Sequence, residues 1–178
     1  MFKGPSLYKH FIVTAAVFIL SCENQRAKNF LHKIDLQERA SAAIIAGENG
    51  TESQKLEHMI SNNFDSALLV NEKQQAEFDE IIQQIESLST TDLEDGKILK
   101  MESVQYYQAL KNLYGYAKWE IQQQKRVREA RGKDQLKAQD SLISLTKRKK
   151  QLFQEVYHHD SLFNSEKERF AKRHKLSP

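Results

Sequence analysis

The sequence predicts an all-α fold: an antiparallel bundle of long, coiled-coil-like helices, with three long arms and a shorter N-terminal helix. Three observations predict it. The only prolines are Pro5 and Pro178, so no proline between them forces a helix to stop. The chain is rich in Gln, Glu, Lys and Leu, residues that lose little rotamer freedom in a helix. Apolar residues recur at alternating spacings of four and three, the seam of helices packed side by side.

Helix one is expected over about 24–46, with Phe30, Leu31, Ile34, Leu36, Ala40, Ala43 and Ile44 as its apolar positions. Gly47-Glu48-Asn49-Gly50 ends it, because glycine and asparagine readily take left-handed conformations. Helix two is expected over 51–88, where Thr51 and Gln54 fit a capping box. Its stripe is Ile60, Phe64, Ala67, Asn71, Gln74, Phe78, Ile81, Ile85 and Leu88. Asn71 and Gln74 interrupt the apolar seam, and polar seam residues fix helix register at a cost in stability.

Ser89-Thr90-Thr91-Asp92 breaks the chain again, and Thr91 with Glu94 offers a second capping box for a helix over 92–131. Tyr107, Leu110, Tyr114, Ala117 and Ile121 form its stripe, while Trp119 lies off it, against helix one or on the surface. At Gly132 two readings stand. The same phase continues across Gln124, Arg128, Arg131 and Gln135, so one very long helix could run on; otherwise the chain turns. Segments 51–88, 92–131 and 134–175 run 38, 40 and 42 residues. Each would be roughly 60 Å long as a helix, and arms of equal length favour the turn. Helix four, over 134–175, carries Ala138, Leu142, Leu145, Leu152, Val156, Phe163 and Phe170. It ends in Lys172, Arg173, His174 and Lys175, cations that complement a helix C-terminus.

The net charge of +3 conceals a split. Residues 51–102 hold twelve acidic and four basic side chains, and residues 103–178 hold eight acidic and seventeen basic ones. Opposite charges flanking the seams account for this, and a basic tip at Lys172, Arg173 and Lys175 is a candidate contact for a polyanion.

Candidate chemistry is sparse, and the chain reads as non-enzymatic. There is no Gly-rich phosphate loop and no His-Glu-x-x-His pair. His158-His159-Asp160 is the densest cluster, but adjacent helical residues point about 100° apart and do not converge on one metal. No metal and no diffusible cofactor is expected.

The first 22 residues carry the most specific pattern. Lys3 and Lys9 precede an apolar run from Phe11 to Leu20, followed by Ser21 and the only cysteine, Cys22. A basic start, a short apolar stretch and a small residue at the cut make a signal peptide over residues 1–21, with a helical domain over 22–178. The apolar run has ten residues, against about 20 for a membrane-spanning helix. Ile19-Leu20-Ser21-Cys22 resembles the lipobox of bacterial lipoproteins. An ordinary signal cut after Ser21 is the alternative, and would leave an unpaired cysteine at the new N-terminus.

In the lipoprotein family the cysteine thiol receives a diacylglyceryl group and the chain is cut before it. The resemblance therefore implies a covalent lipid at Cys22 and a place in the bacterial cell envelope, on the periplasmic or outer side of a membrane. The remainder is only loosely similar in layout to small helical envelope lipoproteins. Asp65-Ser66-Ala67, Asp140-Ser141-Leu142 and Asp160-Ser161-Leu162 each resemble the acceptor of general O-glycosylation in Bacteroidetes, which would make Ser66, Ser141 and Ser161 candidate sites. The expected function is a lipid-anchored scaffold or binding module for an envelope protein or cell-wall polymer. A periplasmic chaperone-like or inhibitor-like binder is the alternative. Nucleic acid is not an expected partner, and the sequence does not set the oligomeric state.

Overall fold

The computed structural model describes residues 7–176, with side chains from Asn24 onward. The signal-peptide reading of residues 1–21 and the lipid-attachment reading of Cys22 concern side chains outside these. Among the described residues six helices follow one another: α1 Leu7–Ala46, α2 Thr51–Ile60, α3 Phe64–Glu86, α4 Gly96–Gly115, α5 Ala117–Glu129 and α6 Lys133–Arg173. Among the described residues there is no strand, and no helix is long and apolar enough to cross a membrane. The fold is an all-α antiparallel bundle.

The helices differ from the sequence reading in three respects: α1 begins at Leu7 rather than near 24, the helix expected over 92–131 is α4 and α5 parted at Tyr116, and a third helix is divided as well. The helix expected over 51–88 is two helices with a reversal at Ser61-Asn62-Asn63. Asn62 takes a left-handed conformation (φ 57°), which asparagine tolerates better than other side chains. Asn63 then caps α3, its side-chain oxygen accepting from the Ser66 amide at 3.3 Å. The consequence is topological. Thr51 and Lys55 of α2 bond to Glu77 and Gln74 of α3, so α2 runs antiparallel to α3. α2 takes up where α1 stops, beside Ile44, Gly47 and Glu77. α1 and α2 together make the first arm, α3 the second, α4 with α5 the third, and α6 the fourth.

The links between arms explain the remaining boundaries. A Cβ on Gly47 or Gly50 would come within 2.4 or 2.3 Å of the Ala43 carbonyl oxygen, so this tight linker admits no side chain there. Neither expected capping box forms. Thr51 is the first residue of α2, behind Gly50 as N-cap, and its hydroxyl donates to the Glu77 carboxylate at 2.7 Å. Gln54 donates instead to the Asn49 carbonyl at 2.8 Å. In the next link Leu93 is buried in the core, and left-handed residues flank it at Asp92 (φ 58°) and Asp95 (φ 61°). That turn delays the start of α4 to Gly96, and Glu94 is left free to pair with Arg173. Lys100 donates to the Glu86 and Leu88 carbonyls, satisfying groups that the end of α3 leaves open. At Gly132 the chain does turn: φ 60° with ψ −129° separates α5 from α6.

The main core joins Phe30 and Ile34 of α1, Phe78, Ile81 and Ile85 of α3, Leu99, Tyr107 and Leu110 of α4, and Phe163 and Phe170 of α6. Each fully buried ring of this size contributes about 1.5–3 kcal/mol. Tyr106 stacks on Phe163 with ring centroids 5.4 Å apart, and Phe30 meets Phe170 at 5.4 Å. Lys167 binds Asp35 at 2.8 Å and also pairs with Glu38, tying α6 to α1. Burial alone would lower the Lys167 pKa, but its hydrogen bonds to the two carboxylates outweigh burial and raise it. Not every stripe position is inside. Leu36, Ala40 and Ala43 of α1 are exposed, and Trp119 lies at the surface.

Candidate functional site

The bundle has two unlike ends. One end gathers Asn24, Lys28 and Leu31 of α1 with Lys175 and Leu176. The core begins close to it, since Ala27 is wholly buried five positions after Cys22. The proposed polyanion contacts fall here, and most of their charge is already met. Arg173 pairs with Glu94 and, at 3.3 Å, with Asp95. Lys172 lies 3.6 Å from Glu168. Lys175 is exposed with φ 52°. His174 between them is a packing residue: its ring centroid is 4.4 Å from that of Phe170, and Nε2 donates to the Glu94 carbonyl at 3.0 Å. Sequence reading took Lys172, Arg173 and Lys175 as a basic tip and could not show that Arg173 and His174 bond to Glu94 and Asp95 in the turn that leads into α4.

The other sequence candidates stay apart. Ser66 is half-buried at the start of α3, Ser141 is half-buried and donates to the Lys137 carbonyl, and Ser161 is exposed on α6. All three lie inside helices. His158 and His159 pack edge to face with centroids 5.2 Å apart. Among the described residues no group of three or more His, Cys, Asp or Glu side chains could hold a metal ion.

Toward the opposite end the seam turns polar. Asn71 and Gln74 are buried, as expected of the stripe, and a third group that the stripe did not indicate joins them. Lys55 is 2% exposed, bonding Gln74 at 2.9 Å and Glu52 at 2.5 Å. Gln74 completes the triangle by donating to Glu52 at 3.0 Å. Burial lowers the Lys55 pKa, and the Glu52 carboxylate opposes that shift. Asn71 donates to the Tyr114 carbonyl at 2.9 Å, next to the joint where α4 gives way to α5. Gly115 lies at the same joint, where a Cβ would come 2.5 Å from Gln75. These bonds fix the register of α2, α3 and α4 by pairing groups that a one-turn slip would leave buried and unpaired. Lys55 is buried, and the polar layer divides two apolar regions.

Beyond this layer a smaller core of Phe64, Ala67, Ala117 and Ile121 closes the stem. There the first two arms stop. α2 ends at Ile60 and α3 begins at Phe64, while α5 continues to Glu129 and α6 starts at Lys133. The α5–α6 hairpin therefore overhangs. It is held by Gln135 donating to the Val127 carbonyl at 3.0 Å and by buried Ala138. Between overhang and stem lies a groove of about 500 Å³, floored by Leu56, Met59, Ile60, Val127 and Leu142 with Arg128 at its edge. Ile60 is 81% exposed and Leu56 46%.

The overhang is also the most basic part of the molecule. Residues 118–150 hold eleven Lys or Arg against four Asp or Glu. Lys125 pairs with Asp65 at 2.7 Å and Lys149 with Glu120 at 2.6 Å. Arg126, Arg128, Arg131, Lys133, Lys147 and Lys150 make no ion pair among the described residues. The open apolar floor thus lies beside cations that have no ion-pair partner among the described residues. Sequence reading missed it because Leu56 lies off the assigned stripe and Ile60 was counted as core. Comparison of the chain with protein-family models, curated proteins and solved structures finds no match.

Proposed function

We propose that this chain is a lipid-anchored binding module of the bacterial cell envelope, non-enzymatic, held at Cys22 and presenting its basic overhang away from the membrane. The observation that carries the reading is the opposition of the two ends. Ala27 is already in the core, so a lipid on Cys22 would hold that end of the bundle close to the bilayer with no long leash. α6 runs 41 residues from the overhang back to that end, roughly 60 Å at the ordinary helical rise. The groove and its cations would thus stand well above the headgroups, where an envelope protein or cell-wall polymer can reach them. Two or three acyl chains, at about 0.8 kcal/mol per buried methylene, suffice for stable attachment.

The anchor is tested by blocking signal peptidase II with globomycin and, separately, by Cys22→Ala. Each should shift precursor size or release the protein from the membrane fraction. No change under either treatment rejects the anchor. A second reading, a periplasmic chaperone-like or inhibitor-like binder, is favoured by the exposed Leu56 and Ile60. A holdase would suppress aggregation of many unrelated unfolded proteins, which a dedicated module would not.

A further inference from the structure

We propose that the groove between Ile60 and Val127 is the docking site for an acidic amphipathic helix of another protein. The inference rests on reading the chain as a binding module, but not on the lipid anchor. Shape argues for a helix. Along the stem, α5 packs beside α3, and Met59 of α2 reaches the small core at Ala117 and Ile121, whereas beyond Ile60 and Phe64 α5 and α6 continue without α2 and α3. The open space is therefore the continuation of positions that helices fill a turn or two away. A segment laid there would restore the cross-section of the bundle and cover Leu56, Ile60, Val127 and Leu142 together.

Charge argues for an acidic segment. Arg128 edges the groove, and Arg126, Arg131 and Lys133 lie in the same hairpin with no carboxylate paired to them among the described residues. An amphipathic helix places apolar residues at i, i+3, i+4 and i+7 on one face, matching the floor, and its acidic flank would meet Arg128 at the rim. A simple polyanion would use the cations and leave the floor wet. A second copy of this chain could offer the acidic side chains of residues 51–102, but Glu52, Asp65, Glu77 and Asp79 of that stretch already bind lysines of their own molecule.

The test uses the full chain in detergent micelles and a fluorescein-labelled synthetic peptide of three heptads, leucine at the a and d positions and glutamate elsewhere. Saturable binding is expected by fluorescence anisotropy. Ile60→Asp and Arg128→Glu should each weaken it about tenfold, equivalent to about 1.4 kcal/mol. Ile60 is largely exposed, so Ile60→Asp should keep the circular dichroism and melting temperature of the parent. Absence of binding overturns the proposal. Equal binding of the same peptide with serine in place of leucine, or of inorganic polyphosphate, overturns it in favour of plain polyanion binding. Dimerisation of the chain alone, abolished by Ile60→Asp in light scattering, overturns it in favour of a second copy. None of these outcomes alters membrane fractionation, so failure here is distinguishable from failure of the anchor.

Discussion

Tyr107 has no exposed surface, and its hydroxyl has no hydrogen-bond partner among the described residues. Burial drives its pKa far above the usual phenol value, with the Glu38 carboxylate adding to the shift. Tyr106 is pushed up to about 12, again mainly by burial, with Asp160 adding to it. Between pH 10 and about 12 both phenols ionise in the unfolded chain but stay largely protonated in the bundle. The folded state then binds more protons, so stability present below pH 10 is lost as pH rises toward 12. Tyr107→Phe removes the unpaired hydroxyl. It should leave stability at neutral pH unchanged or raise it by up to about 1 kcal/mol. It should also flatten the decline above pH 10, as urea unfolding at stepped pH would show. The buried polar layer illustrates how far single residues are legible. Asn71 and Gln74 were visible because they broke an apolar stripe. Lys55 was not, because its i,i+3 pairing with Glu52 within α2 looks like any solvated pair, and nothing in α2 announces that Gln74 of α3 closes over it.

Most elements were visible where backbone chemistry decides and hidden where packing does. The end of α1 and the start of α6 follow from Gly47 and Gly132; the first lies where it was expected, and the second lies within a residue of the turn reading, one of the two left open there. The reversal after Ile60 was hidden because the four-three phase passes through Ser61-Asn62-Asn63 without a slip, and Phe64 and Ala67 remain core residues on the far side. Only the side-chain chemistry of two consecutive asparagines signalled a turn. Thr51 likewise had the composition of a cap and serves as a bond to α3. Gly132 offers the sharpest element-level test. A Cβ there would meet nothing within 4 Å, so the constraint is conformational and not spatial. At φ 60° and ψ −129° the backbone lies outside the left-handed helical region that asparagine tolerates. Gly132→Ala and Gly132→Asn should therefore both destabilise, by about 1–3 kcal/mol, with no rescue by asparagine in thermal melts.

For the molecule as a whole, composition and periodicity sufficed for the all-α antiparallel bundle, while the groove arises from a difference in arm length that no local pattern encodes. The apolar core is concentrated in the stem, and beyond Ile121 the overhang buries only Ala138 before Leu152. Amide hydrogen exchange should show this directly. Protection should be highest in α3 and α4 around Phe78 and Leu110 and lowest in the hairpin from about 124 to 147, with the gap closing if the groove is filled. Equal protection along α6 would show that the overhang is held by more than its side chains indicate.

The contact of Phe30 with Phe170 joins the first arm to the last across nearly the whole chain. A polypeptide emerging N-terminus first cannot seal its own opening helix until its final turns arrive. Until then Phe30 and Ile34 lack their cover from α6, and the seam held by Arg173 and His174 stays open. Loop closure over such a span is slow relative to the local pairing of α2 with α3. The molecule thus has a built-in delay between synthesis and closure.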